Sequence, residues 1–252
     1  MAGVKIPLAS EQLSGEAFIN QTNRYSCHPT GALSLRNPLV TQTADTRRLK
    51  GGFLIAFEGV DGSGKTTQAR RVTNLLDASG YDAVYLREPS DGPVGQRIRS
   101  IMVAGRDKIT PEQEFRLFLE DRADDVKTNI APALRRGAVV CIDRYYISSM
   151  AYQGALGLDP ELIRTENEKI APVPDLVLYF RLDVETAAAR ITAARTGGQN
   201  LFEAIAYQEA VAAQFEAMKI PGMVSVDAAA PPDALTAEIM EIIRPLLVER
   251  TI

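Results

Sequence analysis

Residues 59–66 read Gly-Val-Asp-Gly-Ser-Gly-Lys-Thr and fill every fixed position of the pattern G-x-x-x-x-G-K-[ST]. Glycines at this spacing let the backbone curl until its N–H groups point inward at phosphate oxygens. The helix that follows adds the positive end of its dipole. In such a cradle Gly59, Val60, Asp61, Gly62, Ser63, Gly64 and Lys65 would wrap the phosphates of a nucleoside triphosphate, with Thr66 and Thr67 opening the helix. Lys65 supplies a point charge to the β and γ phosphates, and the Thr66 hydroxyl can ligate Mg²⁺. Binding is not yet chemistry, because GTPases, ATPases and small-molecule kinases share this loop. A GTPase would read its base with an N-K-x-D element, which the chain lacks; an ATPase or a kinase using ATP remains.

Three further groups carry chemistry. Arg87-Glu88-Pro89 and Asp143-Arg144-Tyr145 each close a short apolar run, while Phe118 and Arg122 lie four apart in a helical stretch and so share one face. The elements that must position them alternate. Residues 53–59, 83–88, 138–144, 174–183 and 222–228 read as strands. Residues 65–80 read as a helix with Val72, Leu75 and Leu76 on one face and Gly80 as its stop. A longer helix is expected over 111–130, with Phe115, Leu119, Val126 and Ile130 on one stripe and Pro132 kinking or ending it. This alternation predicts an α/β fold: a five-stranded parallel sheet with helices on both faces and ligands outside the carboxyl ends of the strands.

The 252 residues, 46% hydrophobic and 24% charged, suit one soluble domain over 51–252. A net charge of −4 argues against nucleic acid as a partner. Cys27 and Cys141 have no pairing or metal-site spacing, and no apolar run spans a membrane, so a cytoplasmic protein is expected. His28 is the sole histidine, which excludes histidine triads and histidine metal sites from residues 51–252. Residues 1–50 are rich in Ser, Thr, Asn, Gln and Gly and follow no helical or strand period. They predict a disordered N-terminal extension, a start-site artefact or an arginine-bearing targeting peptide.

Taken in order and at these separations, FEGVDGSGKTTQ, REP, LFLEDRADDV, DRYYISSMAYQG, PDLVLYF and the Phe202-Glu203 pair resemble the thymidylate kinase family, over Phe53 to about Arg250. The resemblance implies a three-layer P-loop kinase fold and an ATP- and Mg²⁺-dependent nucleoside monophosphate kinase that converts dTMP to dTDP, commonly as a homodimer. It also implies roles. Arg144 would clamp the acceptor phosphate, with Arg87 beside it, and Lys65 would hold the donor. Asp143 and Glu88, directly or through water, would join Thr66 at Mg²⁺. Phe118 would stack on thymine and Arg122 would donate to a ring carbonyl. Asp61 would accept from the sugar 3′-hydroxyl, Tyr152 would oppose a 2′-hydroxyl, and Ser149 and Gln153 would line the base pocket. Because Gly62 stands where other members carry arginine, the catalytic arginine should come from a lid, with Arg190 and Arg195 as candidates.

Each assignment has a plainer counterpart: core packing for Phe118, a surface ion pair for Arg122, a solvated carboxylate for Asp61, a buried structural tyrosine for Tyr152, and helix-end arginines for Arg190 and Arg195. An acceptor phosphate is already ionised, so the reaction needs no general base, which fits a domain without histidine. The family's REP-GGT is REP-SDGP here and the lid is less basic; both changes touch the acceptor side. A kinase of dUMP or a modified pyrimidine, and a catalytically idle nucleotide-binding protein, are the alternatives.

Overall fold

The strand that leads into the glycine loop, β1 (Phe53–Glu58), is buried along its whole length, as a central strand covered on both faces should be. The computed structural model describes residues 46–105, 109–194 and 201–252. Around β1 lie β2 (Ala83–Arg87), β3 (Val139–Asp143), β4 (Leu176–Arg181) and β5 (Met223–Asp227), in the order β2-β3-β1-β4-β5 and parallel throughout. After β1 the chain builds the sheet on one side and then crosses to the other, so a crevice opens beyond the carboxyl ends of β1 and β3. Register brings the chemistry to one edge: Phe57 pairs with Asp143, and Asp143 with Arg87.

The helices are α1 (Lys65–Ala78), α2 (Pro93–Ala104), α3 (Pro111–Asp125), α4 (Ala131–Arg135), α5 (Tyr146–Gly154), α6 (Pro160–Glu168), α7 (Val184–Ala194), α8 (Leu201–Ala217) and α9 (Pro232–Val248). Among the described residues no helix is long and apolar enough to cross a membrane. Helix α1 buries Ala69, Val72 and Leu76, but Leu75 falls past the edge of that face and is 43% exposed. Helix α3 starts at a reciprocal cap, Thr110 with Gln113, and carries Pro111 in its first turn, where no N–H is needed.

Pro132 does not end the helix. A wide π-helical turn at Val126–Ile130 shifts the hydrogen-bond register, and Pro132 then falls in the first turn of α4, where its missing donor costs nothing.

Residues near the start of the described chain hold to the domain. Arg47 N–H donates to Gly80 O at 2.7 Å, Leu49 N–H to Gly137 O at 2.9 Å and Lys50 N–H to Arg250 O at 3.0 Å. Leu49 is 1% exposed. Their polar neighbourhood in sequence had placed them in the extension; most of that extension lies outside the described residues.

Candidate active site

The loop between β1 and α1 needs its glycines. Gly62 has φ +81°, and a Cβ there would stand 2.4 Å from Ala187 O on α7; one on Gly59, at φ +144°, would stand 2.8 Å from Phe180 O. Lys65 folds back over the loop, its Nζ donating to Val60 O at 2.6 Å and to Ser63 Oγ at 3.2 Å. Burial, then the positive field of Arg144, push its pKa down to about 7, against the pull of Asp61, Asp143 and Glu58. A cavity of about 450 Å³ opens here, lined by Asp61, Gly62, Gly64, Lys65, Thr66, Thr67, Arg144, Arg190 and Ile191.

Asp143, at the end of β3, reaches the start of α1: the Thr66 hydroxyl donates to its Oδ2 at 2.5 Å, and the Tyr85 hydroxyl approaches the same atom at 3.4 Å. Its other oxygen is buried without a hydrogen-bond partner. A buried, unpartnered carboxylate oxygen beside a threonine hydroxyl and a phosphate cradle fits Mg²⁺. That ion takes few protein ligands and completes its shell with water and substrate phosphate.

Arg144, the next residue, has φ +69°, a left-handed backbone that costs a non-glycine residue roughly 1–3 kcal/mol. The turn throws its side chain back over the loop. Nη1 donates to Gly59 O at 3.3 Å and Ser148 Oγ at 3.1 Å; Nη2 donates to Asp61 Oδ1 at 2.5 Å and Tyr152 OH at 3.1 Å. The guanidinium also lies 4.9 Å from the centre of the Tyr152 ring. Burial opposes its charge, yet Tyr152, Asp61, Asp143 and Glu58 together raise its pKa above the ordinary arginine value. From α8, Gln208 brackets Asp61: it accepts from Asp61 N–H at 3.3 Å, and its amide approaches Oδ2 at 3.4 Å.

On the other side of α5 lies α3. Gln153 Nε2 donates to Glu114 Oε1 at 2.8 Å, and Arg122 Nη2 donates to Ser149 Oγ at 3.2 Å. Phe118, half-buried, sits between Glu114 and Arg122 on that face of α3, opposite the interval from Ser149 to Gln153. Gln153 Oε1 is buried and unpartnered.

Arg122 is 1% exposed and not the surface pair its sequence position allowed. Its Nε contacts both Glu88 oxygens at 3.1 and 2.9 Å, Nη2 reaches Oε2 at 2.5 Å, and Nη1 donates to Asn167 Oδ1. A buried guanidinium requires a carboxylate partner. Glu88, expected near Mg²⁺ directly or through water, meets Arg122 with both of its oxygens.

Arg87 is exposed and pairs with Asp91 at 2.6 Å, a residue of the SDGP segment. Arg190 lines the phosphate cavity but donates to Ala228 O at 3.0 Å, at the rim of a second cavity of about 410 Å³ between the ends of β4 and β5. Arg195 lies outside the described residues.

Sequence reading passed over Glu58, Ser148, Asn167, Glu114 and Gln208. Only Glu58 left a signal, a carboxylate ending an otherwise apolar strand and next to the loop. The others are polar residues on helices, and nothing local marks them.

A family model described as thymidylate kinase matches residues 57–239. The chain is 43% identical over 188 residues to the thymidylate kinase of Akkermansia muciniphila, covering 75% of this chain and 89% of that protein. It is 42% identical to the probable thymidylate kinase of Archaeoglobus fulgidus, covering 77% and 96%. With the thymidylate kinase of Xanthomonas euvesicatoria pv. vesicatoria it shares 43% identity, covering 79% and 87%.

Proposed function

This chain belongs to the thymidylate kinase family, and from that premise we propose that it transfers the γ-phosphate of ATP to dTMP, giving dTDP. The observation that carries the reading is the placement of Arg144. Its guanidinium joins the loop carbonyl of Gly59 to Asp61 and to Tyr152 on α5, so it links the donor cradle to the helix that carries Ser149, Tyr152 and Gln153. Because the acceptor oxygen is already anionic, catalysis reduces to alignment and charge neutralisation of a loose transition state.

Lys65 and the loop amides hold the donor phosphates, and Lys65 exchanges Val60 O and Ser63 Oγ for them. Arg144 turns its planar fork from Asp61 toward the acceptor phosphate, and Asp61 accepts from the sugar 3′-hydroxyl. Tyr152 packs under the clamp and crowds a 2′-hydroxyl. Phe118 stacks on the base, whose edge meets Arg122, Ser149 and Gln153. Thr66 and Asp143 would hold Mg²⁺, which would neutralise charge on the donor phosphates. The second cavity, beside Asp227 and Ala229, takes the adenine, and Arg190 joins it to the phosphates. Arg87 is released from Asp91 when the acceptor enters. A cytoplasmic homodimer belongs to the same reading; a sedimentation coefficient matching one chain would remove that part.

The test is a coupled ADP-release assay over dTMP, dUMP, dCMP and UMP. Turnover of dTMP well above the rest is expected. Preference for another monophosphate, or ATP binding without turnover of any, would overturn the proposal.

A further inference from the structure

Glu58 is fully buried, yet it is in contact with the element that makes the clamp. It is the last residue of β1, immediately before the glycine loop, and its carboxylate crosses to the start of α5. Oε1 accepts from Tyr145 N–H at 2.8 Å, and Oε2 accepts from the Ser148 hydroxyl. That Ser148 oxygen in turn accepts from Arg144 Nη1 at 3.1 Å. Arg144 N–H donates to Phe57 O at 3.0 Å, so the left-handed residue is bonded on both sides to the end of β1.

We propose that Glu58 is the positioning residue of the phosphate clamp: its carboxylate fixes the Tyr145 amide and the Ser148 hydroxyl, and thereby holds Arg144 turned over the glycine loop. This rests on the clamp role given to Arg144 above. Both oxygens of the buried Glu58 are taken up by Tyr145 N–H and the Ser148 hydroxyl, so it acts through those groups and not on substrate. A carboxylate is required because both its partners donate, and because Arg144 and Lys65 both bear on it electrostatically. Burial raises its pKa to about 7, against the Ser148 hydroxyl, Arg144, the Tyr145 amide and Lys65.

Glu58→Gln keeps the size but turns an amide donor toward Ser148, forcing the hydroxyl proton toward the guanidinium. The expected result is a KM for dTMP raised fivefold or more, with the KM for ATP within twofold of wild type. If another monophosphate proves to be the acceptor, the same split is read on that substrate. Equal shifts in both constants, or none, overturn the inference. Should Glu58→Gln fail to fold, Ser148→Ala breaks only the link from Glu58 to the guanidinium and should raise the acceptor KM in the same selective way. A crystal structure of either variant in which Arg144 keeps its left-handed backbone and its bond to Gly59 O would overturn the inference whatever the kinetics. Failure of dTMP turnover in the wild type would strike the proposed function alone.

Discussion

At the scale of single residues, Phe118 is the position where site and core are to be told apart. It is only half-buried, and its neighbours on the same helix face, Glu114 and Arg122, are both tied to α5. In the function proposed above, the ring stacks on the acceptor base within this polar frame. Aromatic stacking on a base is worth about 1–3 kcal/mol. Phe118→Ala should therefore raise the KM for dTMP roughly tenfold while the KM for ATP stays near wild type, measured by initial rates. Equal effects would return the ring to the core.

Lys65 supplies a pH prediction. With its pKa lowered to about 7, the amine is largely neutral at pH 8, and bound phosphates restore its charge. ATP or ADP binding at pH 8 should take up protons, and binding at pH 6, where the ammonium is already formed, should take up almost none. Calorimetry in buffers of differing ionisation enthalpy reads this directly; no buffer dependence at pH 8 would refute it.

At the scale of elements, the glycine loop is held by packing as much as by its own backbone. Gly62 abuts Ala187 O on α7, and Ile191, one turn further along, is also close. Helix α7 thus forms one wall of the phosphate cavity and leads toward the segment that follows it. Gly62→Ala must either push α7 away or distort the loop, and it adds left-handed strain. Its kcat/KM for ATP should fall roughly tenfold or more, the equivalent of about 1.4 kcal/mol. An unchanged value would mean the loop and α7 part freely.

The π-helical turn before α4 belongs to this scale too. Sequence reading could see Pro132 but not the shift in register that lets the helix run through it.

At the scale of the whole molecule, the two ends of the described chain are joined. Lys50 N–H meets Arg250 O, and Ile252 N–H meets Arg48 O at 3.2 Å, while Leu49 is buried beside them. Burying a leucine side chain is worth roughly 1.5–3 kcal/mol. A chain beginning at Thr46 should melt with the full-length protein. One beginning at Gly51 should melt lower by roughly 3–12 °C, read by thermal denaturation. Equal melting of the two would show these ties to be idle.

The sequence by itself determined the parallel five-stranded sheet, the phosphate loop and the residues flanking it, because strand periodicity and a glycine-lysine-threonine pattern are local. It also singled out Arg144, Asp143, Arg122 and Phe118. Only the tertiary structure decided what each one faces. Burial forced Arg122 onto Glu88 and Asn167, which are 34 and 45 residues away from it in the chain. A left-handed turn aimed Arg144 at Gly59 and Asp61, and a buried carboxylate 87 residues before Tyr145 braced that turn. Partner choice depends on which charges lose water together, and that is a property of the packed chain, not of any stretch of it.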